Sequence, residues 1–286
     1  MIAESIVMII AFVALLIGTY TDFKSREVPD WLNYGLIFVG IMVRIIFSTV
    51  YHDWNYIIHG IFGFAVFFGI ALIMFYAGQW GGGDSKMVMG LGALLGLEFS
   101  INSFFLSFLI NIMIFGALFG LCFSVYLALS NLKAFAKQFA VQFSARKKEK
   151  WIVWISTIAL LLISIFVPYS VKVMVVVLAG MIFVSFYVFV YLKAIEHSVM
   201  IKWVEPEKLT EGDWVVEDVV VGGKRICGPK DLGLEKSQIA KLLRLKKQGK
   251  VKKILIKYGI PFVPGFLLAF IATYLWGNVV FRLMGL

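Results

Sequence analysis

The chain has 286 residues, of which 61% are hydrophobic and 15% charged, and its mean hydropathy is +0.91. Soluble domains carry about 25% charged residues, so that class is excluded, and continuous apolar runs of about 17 residues or more exclude a barrel of alternating strands. The net charge of +10 would suit a nucleic-acid binder, yet the cations gather between apolar runs, as the positive-inside rule requires of an all-α polytopic membrane protein.

Eight spans are predicted, at residues 2–21, 32–50, 56–78, 84–98, 101–130, 151–168, 171–194 and 258–281. The start, Met1-Ile2-Ala3-Glu4-Ser5, lacks a basic n-region and a small-residue cleavage site, so the first run reads as a retained span. With the N-terminus outside, 24 of the 27 Lys and Arg residues fall on the inner side, and only Arg44, Lys172 and Arg282 fall outside. The chain divides into residues 1–98 with two acidic motifs, 99–195 with further spans, a cytoplasmic α+β insertion at 196–257 and a final span within 258–286.

Span one ends Thr19-Tyr20-Thr21-Asp22 and leads into Phe23-Lys24-Ser25-Arg26-Glu27-Val28-Pro29-Asp30. Glu27 reads as a loop residue pairing with Lys24 or Arg26. His52 and His59 lie seven apart without a third convergent ligand, so no metal site is expected. Trp54, Trp80, Trp203 and Trp276 fall near span ends, where an aromatic belt would place them, and Gly60, Gly63 and Gly69 suit helix packing. Between spans three and four lies Gly81-Gly82-Gly83-Asp84-Ser85-Lys86, a turn without side chains in which Asp84 takes the natural N-cap position of the next helix.

Residues 131–150 space Leu132, Phe135, Phe139 and Phe143 at near-helical intervals with cations between them. This segment reads either as an amphipathic helix on the inner leaflet or as the wet end of span five. In the insertion, 213–228 reads as a hairpin around Gly222-Gly223, and 234–250 reads as a basic helix ended by Gly249. About sixty residues make a small core, so this module is expected to lean on the helices or the membrane. The last span opens on Gly259-Ile260-Pro261-Phe262-Val263-Pro264, prolines suited to a helix start. Cys122 and Cys227 stand alone, without a Cys-x-x-Cys pair, and no cofactor is expected.

The topology puts Asp22 and Asp84 at equal depth on helices free to pack together. Two carboxylates in contact cannot both ionise comfortably, so such a pair shares one proton. The ionised member then draws a proton from water while the neutral one polarises a carbonyl.

At these residues the sequence resembles the GxGD-type aspartic peptidases that process type IV prepilins and archaellins. Asp22 is followed at seven residues by Pro29 and then Asp30, and Gly81-x-Gly83-Asp84-x-Lys86 is similar to the family's second element, with Gly92 and Gly96 at its spacing. The string from Gly259 to Pro264 looks like the family's closing helix. The resemblance implies a membrane endopeptidase that cuts the class III signal peptide of pilin-like or archaellin precursors at the cytoplasmic face. It carries over Asp22 and Asp84 as the catalytic pair, with Pro29, Asp30, Gly81, Gly83 and Lys86 in support. Glu27 and Asp30 beside such a site would attract the precursor's basic leader. The short first loop and the late insertion look more like archaeal members than the large bacterial ones. Two other readings keep the Asp pair: general intramembrane proteolysis, and a transporter in which it binds a proton or cation.

Overall fold

The computed structural model describes residues 2–100 and 102–285. Helices α1 (Ile2–Ser25), α2 (Asp30–Val50), α3 (Asn55–Tyr76), α4 (Gly82–Leu95) and α5 (Phe104–Ser130) are followed by α6 (Leu132–Ala145), α7 (Lys147–Phe166) and α8 (Tyr169–Ile195). After the insertion come α10 (Val263–Trp276) and α11 (Val279–Leu283). Among the described residues, six helices (α1, α2, α3, α5, α7 and α8) are long and apolar enough to cross a membrane. The protein is thus a multi-pass helical membrane protein. At the other two predicted span positions lie α4 and α10, of 14 residues each, about 21 Å long against a hydrocarbon core of about 30 Å.

The centre of the bundle is α4. Its Met87, Val88, Leu91, Ala93 and Leu94 are completely buried, which its glycine-rich sequence permits by letting neighbours approach closely. Gly60 and Gly63 of α3 face α4 at close range, whereas Gly69 faces open space and takes no part in that packing. Leu36 of α2 and Leu15 of α1 join the same core, together with Phe67, Phe105, Phe108, Phe266 and Phe270. The α4 helix stops at Gly96, whose φ of +69° favours a residue without Cβ. Its last carbonyls are taken by the buried guanidinium of Arg44: Nε and one terminal nitrogen donate to the Leu94 oxygen at 3.0 and 2.7 Å, and the same terminal nitrogen donates to the Leu95 oxygen. A residue that charge counting assigns to the outer rim is therefore an internal helix cap. Beyond this end lies a cavity of about 1240 Å³ between α1, α5 and α10.

Helices α7 and α8 form a hairpin broken at Val167-Pro168, with Trp154 edge-on to Phe183. The amphipathic segment is a separate helix, capped by the Asn131 side chain. Its aromatic face packs on α8 through Phe135–Tyr191 and Phe143–Phe186, so that face is bound to protein.

In the insertion, β1 (Ile201–Val204), β5 (Ile254–Lys257) and β2 (Trp214–Val215) form an antiparallel sheet in the order β1-β5-β2. A second pair, β3 (Val219–Val221) and β4 (Lys224–Cys227), turns at Gly222 and Gly223, both at positive φ as a type I′ turn requires. The expected hairpin is thus shorter than 213–228, because Trp214 and Val215 pair with β5 across the module. Helix α9 (Lys236–Lys247) covers a core of Val204, Leu209, Val215, Ile226, Cys227, Leu234, Leu242, Ile254 and Ile256. Trp203 sits in β1, three residues beyond Met200, where the last long apolar helical stretch ends.

That core makes a prediction. Burial, helped by the neighbouring Asp231 carboxylate, pushes the Cys227 thiol up to about 11. At pH 8 the thiolate fraction is then roughly 10⁻³, so iodoacetamide should label Cys227 far more slowly in native protein than after denaturation. Equal rates by mass spectrometry would contradict the folded core.

Candidate active site

Asp22 lies in the last turn of α1 and is only 4% exposed. Its Oδ2 accepts hydrogen bonds from the backbone N–H groups of Phe262 (2.7 Å) and Val263 (3.0 Å). The sequence explains the arrangement. Pro261 and Pro264 have no N–H, so the two residues between them supply the free amide hydrogens where α10 begins. The first N–H groups of a helix have no intrahelical partner and carry its positive dipole end, which suits a carboxylate.

Asp84 lies in the first turn of α4. The helix begins at Gly82 with Gly81 as its N-cap, so Asp84 is the third residue of the helix and not the cap expected from the sequence. Its Oδ2 reaches back to accept from the Gly81 N–H at 3.1 Å, the N3 half of a capping box. Asp22 acts on Asp84 electrostatically, which puts the two carboxylates in one neighbourhood. Each keeps its Oδ1 outside the hydrogen bonds just described.

The supporting motif residues fasten the two acidic segments together. Lys86 Nζ contacts Asp30 Oδ1 at 2.6 Å and lies 4.9 Å above the Tyr34 ring. Pro29 is the N-cap residue of α2. A Cβ on Gly83 would stand 3.2 Å from the Val28 nitrogen and 3.3 Å from its Cβ, so the glycine is required by close approach of the segment after Asp22. Should the site prove catalytic, Gly83→Ala is expected to separate the two segments by a few tenths of an ångström and lower turnover about tenfold, with little loss of thermal stability. Steady-state kinetics beside a melting curve would check this, and an unchanged kcat would contradict it.

Sequence reasoning missed several residues of this site. Asn33 is fully buried in α2 and its amide donates to the Gly83 oxygen at 3.2 Å and to the Val28 oxygen at 3.4 Å, bridging the two segments. Trp80 is 2% exposed and packs its ring 5.3 Å from Phe266 and 6.1 Å from Phe262, so it joins the site's core and not an aromatic belt. Arg26 and Lys24 do not pair with Glu27: Arg26 stacks on Tyr258 and Lys24 lies over Tyr20. The only sequence signals for these roles were a polar residue inside an apolar run and a tryptophan beside three glycines.

Taken together, the fold and site define a multi-pass membrane protein that brings two aspartates from separate helices to one end of the bundle, one of them held by the start of a third helix. Residues 9–121 match the type IV leader peptidase family. The preflagellin peptidase of Methanocaldococcus jannaschii is 40% identical over 87 residues, 30% of this chain and 37% of that protein. The preflagellin peptidases of Methanococcus maripaludis and Methanococcus voltae are 39% and 36% identical over 87 and 86 residues, again 30% of this chain and 37% and 36% of those proteins. The chain thus spans little more than a third of the length of these relatives.

Proposed function

We propose that the protein is an aspartic endopeptidase of the prepilin and preflagellin peptidase type, with Asp22 and Asp84 as its catalytic pair. What supports this reading is that these two carboxylates, from α1 and α4, stand near enough to act on each other electrostatically, within the segment that matches the family. Two backbone N–H groups fix Asp22 by one oxygen, and one fixes Asp84, so each carboxylate has a defined orientation and an oxygen to spare. The pair shares one proton. The ionised member takes a proton from water as the water attacks the scissile carbonyl, and the protonated member donates to the carbonyl oxygen.

The substrate class is an archaellin or pilin-like precursor, cut ahead of its apolar segment. The site lies at the cytoplasmic face with the N-terminus outside. That orientation is supported by the basic residues concentrated in 131–150 and 196–257 and by the contact of the insertion with the segments around both aspartates. Pro29, Asp30, Gly81, Gly83 and Lys86 act in support, holding the two acidic segments at a fixed separation.

The test is cleavage of archaellin and pilin precursors by detergent-solubilised full-length protein. A product shortened by its leader, found by mass spectrometry, is expected. If folded protein leaves several such precursors intact and reconstituted vesicles show proton-coupled flux instead, the transporter reading replaces this one.

A further inference from the structure

The sequence of the insertion assigns it no role, and its attachment to the site supplies one. Tyr258 follows β5 directly, and its N–H continues that strand's pairing by donating to the Met200 oxygen at 3.0 Å. Two cations lie over its ring, Arg26 Cζ at 4.7 Å from the centroid and Lys202 Nζ at 5.8 Å. Arg26 stands four residues after Asp22, and its N–H donates to the Asp22 carbonyl at 2.8 Å. It has a φ of +59°, a left-handed conformation that costs a non-glycine residue free energy and persists only when its surroundings hold it. Four and five residues beyond Tyr258 come Phe262 and Val263, whose N–H groups bind Asp22. The contacts close a circuit: Asp22, the end of α1, Arg26, the Tyr258 ring, the start of α10, and Asp22 again.

The insertion touches the other acidic segment as well. Gly78, at a φ of +67°, would place a Cβ 3.3 Å from the Trp214 ring. Gly78 lies three residues before Gly81, so the module bears on the segments that carry both aspartates.

We propose that Tyr258 is a positioning residue for Asp22, clasped by Arg26 and Lys202 so that the folded insertion sets where the two N–H donors of α10 meet the carboxylate. The kinetic part of this inference rests on the peptidase reading. A cation over an aromatic face is attracted by the ring's quadrupole, and that face survives Tyr→Phe. In full-length protein, Tyr258→Leu should lower kcat about five- to tenfold with KM within twofold of wild type, and Tyr258→Phe should restore most of the loss. Arg26→Gln should resemble Tyr258→Leu, and the double variant should be little worse than either, because both break the same contact.

A second measurement does not depend on cleavage. Hydrogen exchange of the backbone amides of Phe262 and Val263, followed by mass spectrometry in detergent, should quicken in Tyr258→Leu and stay near wild type in Tyr258→Phe. Unchanged exchange in Tyr258→Leu would overturn the proposal whatever the activity. If wild type cleaves no precursor, the peptidase reading fails while the exchange result still decides the clasp.

Discussion

Asp22→Asn and Asp84→Asn should each lower precursor cleavage by about 10³-fold or more while leaving the protein folded. The amide keeps the size and one acceptor oxygen of the carboxylate, so the Phe262 and Val263 N–H groups, at 2.7 and 3.0 Å from Asp22, can still find an oxygen on the substituted side chain. What the substitution removes is the group proposed to exchange a proton with water. On that proposal the two carboxylates act as one unit, so the double variant should be no slower than the worse single variant. Time courses of leader removal, with size-exclusion profiles to show retained folding, would check this. Substantial cleavage by either variant would mean that its aspartate is not one of the pair.

Arg44→Leu should produce the largest loss of stability away from the site. The buried guanidinium satisfies the Leu94 and Leu95 carbonyls at the end of α4. An orphaned buried acceptor costs about 1–3 kcal/mol. Removing a buried cation recovers part of its own desolvation penalty, so the net loss is about 2–4 kcal/mol. For a protein of this size that corresponds to a fall of roughly 5–15 °C in melting temperature. Arg44→Lys should lie between, since a single ammonium lacks the fork that spans two acceptors. A melting temperature unchanged in Arg44→Leu would show that α4 ends without needing this cap.

The membrane class, the positions of the long helices and the two acidic segments were legible in the sequence because each rests on local composition. Apolar runs are long enough to dominate a window, and Gly81-Gly82-Gly83-Asp84 has a composition that few packing needs would produce. The rest depended on contacts between residues far apart in the chain. Arg44 reads as one more cation at a span end until α4 is found to stop in front of it. Trp80 reads as a belt residue until Phe262 and Phe266 are seen to cover it. The same holds for Trp214 and Val215, which look like the first arm of a local hairpin and pair with β5 instead. Asp84 reads as the cap and stands three residues beyond it, because successive glycines leave the start of a helix undetermined by propensity alone.

The bonds from Phe262 and Val263 to Asp22 span 240 and 241 residues, and this imposes an order on biosynthesis. Asp22 and Asp84 leave the ribosome early, yet Asp22 gains its amide partners only once the chain has been made as far as Phe262 and Val263. A nascent chain arrested before Phe262 would contain both aspartates and lack the two N–H groups that bind Asp22.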